Sequence, residues 1–128
     1  MHIPTKKEIF LALKNLLDAD ITEVSGRIYS AYPKKTITLP FIVISNPEYN
    51  ENVYSINDSV ISYSYTVDIY VYTKTSQELD ELTQKVIDTL RNNDILGATK
   101  SIREEESVEY NLTNKIMHEG MITVELQW

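Results

Sequence analysis

Two segments of the chain place apolar side chains at helical spacing. In the first, Thr5 and Glu8 match a capping box, the local signal that starts a helix. Its apolar stripe consists of Ile9, Phe10, Leu13, Leu16 and Leu17. The second segment begins at Ser76, the predicted cap, and its stripe consists of Leu79, Leu82, Val86 and Leu90. The pattern predicts two amphipathic helices, each with one buried face.

Two other segments alternate between apolar and polar positions, the pattern of β-strands with one buried face. The first is Val60–Thr73, and the second is Lys115–Trp128. The predicted core face of the first consists of Ile61, Tyr63, Tyr65, Val67, Ile69 and Val71. Strands in compact domains rarely exceed about ten residues. We therefore expect the first strand to bend or to project beyond the domain, and the similar lengths suggest that the two strands pair.

Three shorter segments complete the predicted sheet. Arg27–Tyr32 alternates weakly, and Phe41–Ser45 is nearly all apolar, as expected of a strand covered on both faces. Ser101–Asn111 is strand-like around the acidic run Glu104–Glu106. The order of these elements predicts an α+β fold: a mainly antiparallel sheet of four to six strands with two helices packed on one face. The length fits a single domain, residues 1–128.

The longest polar stretch, Pro47–Ser59, is predicted to be a loop. It exceeds the usual connection of about 4–6 residues. One interpretation is a solvated hairpin tip, and the other is a loop that becomes ordered on a partner. The second interpretation is attractive because Tyr49, Tyr54 and Ile56 interrupt the polar residues, and tyrosine supplies a large contact area with few rotatable bonds.

Further interface candidates come from the long strands. Asp68, Tyr70 and Tyr72 lie on the outward face of the first, and His118 lies on the second. The candidate residues for a subunit or tail interface are Tyr49, Tyr54, Ile56, Asp68, Tyr70, Tyr72 and His118.

Composition removes several functional classes. The chain has 12 basic and 19 acidic residues, a net charge of −7, and such a surface repels the phosphates of nucleic acid. It has no cysteine, which excludes disulfides, thiolate nucleophiles and zinc–sulfur sites. Its three glycines are too scattered for a phosphate-binding loop or a dinucleotide fingerprint. The longest unbroken apolar run is five residues, Ile9–Leu13, so no membrane partner is expected.

No set of residues predicts catalysis. The two histidines, His2 and His118, lack the spacing of a zinc site, and adjacent carboxylates in Glu104–Glu106 would point to opposite faces of a strand. We therefore predict no catalytic residues, no metal and no cofactor, and a protein that is not an enzyme. A small hydrolase or metal-dependent enzyme is the least favoured alternative.

In the order and spacing of its elements, the chain resembles the tail terminator and tail-to-head joining proteins of long-tailed bacteriophages. The resemblance extends from about Ile9 to Leu126. Its parts are the opening helix, Arg27-Ile28-Tyr29, Leu39–Ile44, a polar loop, Tyr65–Lys74 leading directly into the second helix, and the closing strand Ile116–Leu126. The segment Thr99–Asn114 departs from the family by being more acidic.

The resemblance implies a structural virion protein. Such a protein forms a ring, typically a hexamer, that caps the completed tail tube and docks to the head connector or head-closure protein. DNA would pass through the ring without specific binding, and the protein would reside at the head–tail junction of the virion after assembly in the host cytoplasm. Another neck or tail protein, such as a head-closure or minor tail protein, is the alternative.

Overall fold

The computed structural model describes residues 3–35, 38–53, 60–112 and 115–128. Within them, two helices pack on one face of a seven-stranded, mostly antiparallel sheet. The helices are α1 (Lys6–Asp20) and α2 (Ser76–Asn92), with a short 3₁₀ turn at Thr22–Val24. The strands are β1 (Ile28–Tyr29), β2 (Phe41–Ile44), β3 (Glu48–Val53), β4 (Val60–Thr73), β5 (Thr99–Glu104), β6 (Val108–Leu112) and β7 (Lys115–Gln127). The predicted α+β class is confirmed, with seven strands instead of four to six.

Both helices start at a threonine cap. The Thr5 hydroxyl accepts a hydrogen bond from the Glu8 backbone N–H at 3.1 Å, as the capping box predicts. In α2 the cap is Thr75, which accepts from the Glu78 N–H at 3.1 Å. Ser76, the predicted cap, is instead the first helical residue. Threonine and serine are both favoured as N-caps, and it is Thr75 that has the extended backbone conformation of a cap.

The predicted helical stripes form the main core against the sheet. On α1 the fully buried residues are Ile9, Leu13 and Leu17, and on α2 all four predicted residues are buried. The sheet contributes the buried side chains of Tyr65, Val67, Ile69, Val71, Ile122, Val124 and Leu126. Gly120 lets α2 approach β7 closely, because a Cβ there would lie 3.1 Å from Leu79 Cδ1.

The two long strands pair antiparallel at the centre of the sheet, as predicted, from Ser64 opposite Gln127 to Thr73 opposite His118. Each has two short strands along its other edge. β2 and β3 follow one another along β4, and β5 and β6 follow one another along β7. The predicted strand Ser101–Asn111 is therefore two strands, because the segment after Glu104 leaves the regular ladder.

The central pair is offset, so a hairpin projects at each end of the sheet. At one end, β7 begins before the residue that faces the end of β4, and it pairs there with β6 alone, Leu112 opposite Lys115. At the other end, the β7 side stops at Trp128, whose N–H donates to the Tyr63 carbonyl at 2.9 Å. Beyond that point β4 pairs only with β3. The first long strand is thus longer than a compact domain needs because one of its ends projects beyond the central pair.

Two predicted segments differ in the structure. Half of the predicted loop Pro47–Ser59 is β3, whose register places Tyr49 opposite Tyr65. Polar residues on both faces of β3 hide its alternation from the sequence. The predicted strand Arg27–Tyr32 keeps only two residues in the sheet, because the chain turns away after Tyr29. That departure carries Tyr32 across the helix-free face.

Candidate functional site

The face of the sheet opposite the helices carries a second, smaller apolar cluster. Its buried members come from three strands: Phe41 and Val43 from β2, Tyr72 from β4, and Met117 from β7. Tyr29, Leu39 and Tyr70 pack against them. In the part of the chain that the structure describes, neither helix lies over this cluster, so it is sealed from solvent only by side chains of its own face and by the segment after β1.

Aromatic rings build this cluster. Phe41 and Tyr72 are stacked, with ring centroids 4.7 Å apart and planes inclined by 20°. The ring of Tyr32 meets both edge-on, at 5.8 Å from Phe41 and 5.4 Å from Tyr72. Offset stacking and edge-to-face contact are the favoured aromatic geometries. Tyr32 is nevertheless 54% exposed, so it forms a wall at the surface.

Beside Tyr32 lies an open groove of about 360 Å³, which we call the tyrosine groove. It is lined by Tyr32, Tyr72, Tyr110, Met117 and Glu119. Met117 and Tyr72, 5% and 6% exposed, form its floor, while Tyr110 is 38% exposed. The Tyr110 hydroxyl donates to Glu119 Oε1 at 3.2 Å. The groove therefore combines aromatic surfaces, a thioether and one carboxylate.

Glu119 dominates the electrostatics of the tyrosine groove. Burial and then a hydrogen bond to Glu119 raise the pKa of Tyr72, and the negative charge of Glu119 raises the pKa of Tyr110. Both phenols are neutral at physiological pH, because even the usual tyrosine pKa is about 10. The described ion pairs join Lys85 to Glu23 and Arg103 to Glu105, so no basic side chain in the described part of the chain pairs with Glu119.

The predicted interface residues on the long strands have different environments. Tyr72 is buried in the second cluster and reaches the groove from below, and Tyr70 is half-buried beside it. Asp68 is half-buried: its Oδ1 accepts from Thr123 Oγ1 at 2.9 Å, so its carboxylate ties β4 to β7. His118 lies on the face of the sheet opposite the tyrosine groove, at the end of the β4–β7 pair.

Tyr49 is part of the sheet and does not lie in a free loop. Its ring stacks on Tyr63 at 6.4 Å and contacts Tyr65 at 5.1 Å, on the helix side. Its hydroxyl donates to Glu51 Oε1 at 2.9 Å. Desolvation and that hydrogen bond raise the pKa of Tyr49 to about 12. These contacts are structural. Tyr54 and Ile56, the other two candidates from the predicted loop, lie outside the described residues.

Sequence reasoning missed four members of the groove: Tyr32, Tyr110, Met117 and Glu119. Met117 and Glu119 share the outward face of β7, which the alternation does indicate. The contribution of Tyr110 depends on the register that places it opposite Met117. That of Tyr32 depends on the path of an irregular segment, for which the sequence gives no signal.

No group of three or more histidine, aspartate or glutamate residues suited to a metal ion occurs among the described residues. Within the same ranges, none of the helices is sufficiently long and apolar to cross a membrane.

No protein-family model and no curated protein matches the chain. Solved structures do match it. One is a chain from the virion of a native gene transfer agent particle, with a TM-score of 0.65 and 11% sequence identity, covering 93% of this chain and 92% of that one. Another is the bacteriophage SPP1 gp17 protein, with a TM-score of 0.58 and 17% identity, covering 94% and 88%. The resemblance to phage structural proteins is thus confirmed at the level of the fold.

Proposed function

We propose that this chain is a structural protein of a phage-like virion, and that it forms a ring that caps the completed tail tube and joins it to the head connector. The observation that carries the proposal is the likeness of fold along nearly the whole chain, 93% and 94%, to a gene transfer agent virion chain and to a bacteriophage protein.

The shape of the subunit supports assembly with copies of itself. The proposed assembly is a ring, most often of six subunits. A ring arises when different surfaces of neighbouring copies meet head to tail and the rotation closes. The projecting hairpins at opposite ends of the sheet, with the helix-free aromatic face between them, supply such different surfaces. Aromatic residues and methionine are enriched where protein surfaces become buried in an interface.

The charge supports a passage that does not hold DNA. Residues 65–128 contain 12 acidic and 6 basic side chains. Acidic surfaces lack the lysine and arginine contacts through which proteins neutralise phosphates, so DNA can move past them without being bound. The proposed partners are therefore other copies of the chain, the tail tube protein and the head connector or head-closure protein. No cofactor or membrane is part of the proposal.

The test is the size and symmetry of the purified full chain, measured by native mass spectrometry and sedimentation and imaged by negative-stain electron microscopy. We expect closed rings, most often of six subunits, at high protein concentration. A compact dimer with a two-fold axis at every concentration would contradict the proposal.

A second measurement separates this role from that of another neck or tail protein. Antibody labelling of intact particles should mark the head–tail junction alone. Labelling along the tail, or at the head side of an isolated connector, would assign the chain to a tube or head-closure position instead.

A further inference from the structure

The tyrosine groove has the chemistry of a site for a cationic side chain. A lysine or arginine head group is attracted to the faces of aromatic rings, and a carboxylate at the side of the same groove strengthens that attraction. Here three tyrosines and Met117 surround Glu119. Because both phenols beside Glu119 are neutral, the groove carries a single negative charge with no basic partner among the described residues.

Apart from Lys85, which pairs with Glu23, the exposed lysines among the described residues fall into two groups. Lys34 and Lys35 follow Tyr32, and Lys74 follows Thr73, so these three belong to segments that border the groove itself. Lys6 and Lys7, in the first turn of α1, lie instead beside the ends of β1 and β2, where they line a separate cavity of about 190 Å³.

These two places are on opposite faces of the sheet. The lysine pair lies on the helix face, at the start of α1 and next to the ends of β1 and β2. The groove lies on the helix-free face, where side chains of β4, β6 and β7 meet Tyr32 of the segment after β1. A subunit with a cation on one side and a cation-binding groove on the other is complementary to a copy placed next to it.

We infer that the tyrosine groove of one subunit binds a lysine side chain, Lys6 or Lys7, from the start of α1 of a second copy. The inference rests on the proposed function, because repeated contacts of this head-to-tail kind are what close a ring. It names the contact: the lysine ammonium lies against Tyr32 and Tyr110, above Met117, and pairs with Glu119.

The first test removes the charge of the groove and keeps its hydrogen bond. In Glu119→Gln the amide oxygen still accepts from the Tyr110 hydroxyl, so the fold is retained. We expect the subunit–subunit dissociation constant, measured by sedimentation, to rise roughly tenfold, which corresponds to about 1.4 kcal/mol. Glu109→Gln is the matched control. It removes the same charge one residue from Tyr110 but on the other face of the sheet, and it should leave association unchanged.

Charge reversal identifies the source of the cation. Glu119→Lys should abolish association, and Lys6→Glu combined with Lys7→Glu should do the same. A mixture of the two variants should associate again, because the glutamates introduced at positions 6 and 7 of one variant can pair with the lysine introduced at position 119 of the other. If the mixture stays dissociated while each variant retains the wild-type melting temperature, α1 is not the occupant and the inference is overturned.

A second measurement does not depend on ring closure, and the absence of native cysteine makes it clean. A Lys7→Cys variant mixed with a Tyr110→Cys variant should form a disulfide-linked heterodimer rapidly under mild oxidation. Arg91→Cys, another exposed basic position, replaces Lys7→Cys in the control mixture and should link slowly. Equal rates in the two mixtures would overturn the inference. Selective linking without a ring would keep this contact and contradict the proposed function alone.

Discussion

Leu11 and Leu13 lie two positions apart on α1 and have opposite environments. Leu13 is fully buried among the side chains of the main core, whereas Leu11 is 39% exposed. Helical spacing accounts for the difference, because positions two apart lie on different faces of a helix. The contribution of each leucine to stability should follow its burial, since both have the same helix propensity and lose the same atoms on truncation.

We expect Leu13→Ala to lower the free energy of unfolding by about 2–5 kcal/mol, because buried methyl groups are lost and a cavity remains. Leu11→Ala, the control on the same helix, should change it by less than about 1 kcal/mol. Urea denaturation followed by circular dichroism measures both. Equal effects of the two substitutions would show that α1 packs through a different face.

Lys100 illustrates how one strand holds the end of a helix. Its ammonium group donates to the carbonyls of Leu90 at 2.7 Å, Arg91 at 3.1 Å and Asn93 at 2.5 Å. The last carbonyls of a helix have no partner within it, and the helix dipole places negative charge there. Lys100, in β5, therefore satisfies the end of α2 and fixes α2 to the edge of the sheet.

Lys100→Met should lower the free energy of unfolding by about 1–2 kcal/mol, because it keeps most of the aliphatic chain and removes the ammonium donor. Arg91→Met is the control. It removes a positive charge from the last turn of the same helix, where the side chain is exposed to solvent. Hydrogen exchange of the last turn of α2 should quicken in the first variant only. Similar exchange in both would mean that net charge, not the capping contact, stabilises the helix end.

The elements that the sequence predicts well are those with one buried, apolar face. Both helices and the β4–β7 pair were predicted from the spacing of residues such as Leu82 and Val67, which are buried because the spacing places them there. β3 was missed because polar side chains occur on both of its faces, so no alternation of apolar and polar residues marks it as a strand. The groove was missed because it joins four separate segments, and only the register of β6 on β7 brings Tyr110 to Met117.

The tyrosines taken together give the whole molecule a response to alkaline pH. Among the described residues, the pKa values of five tyrosines are raised: Tyr49, Tyr65, Tyr70, Tyr72 and Tyr110. Above pH about 10, the usual tyrosine pKa, the unfolded chain loses phenolic protons that the folded chain still holds. The folded state then binds more protons than the unfolded state, so stability falls as pH rises.

We therefore expect the contribution of these tyrosines to be fully present below pH about 10 and to be lost as pH rises through their raised pKa values. The midpoint of urea unfolding should fall over that range. In a pH titration of the folded protein, absorbance near the phenolate band should show a group of tyrosines that ionise above the usual tyrosine pKa. Tyr72→Phe should make the fall smaller. Ionisation of every tyrosine at its usual pKa in the folded protein would contradict the prediction.

The central pair of strands also has a mechanical consequence. β4 and β7 run antiparallel, and their projecting ends lie at opposite ends of the sheet. If neighbouring molecules hold those two ends, tension along the particle pulls the strands past one another. The hydrogen bonds between them run perpendicular to that pull, so those from Ser64 to Thr73 carry the load together in shear, and the strands cannot separate one bond at a time. The subunit would resist stretching along this axis far better than peeling across it.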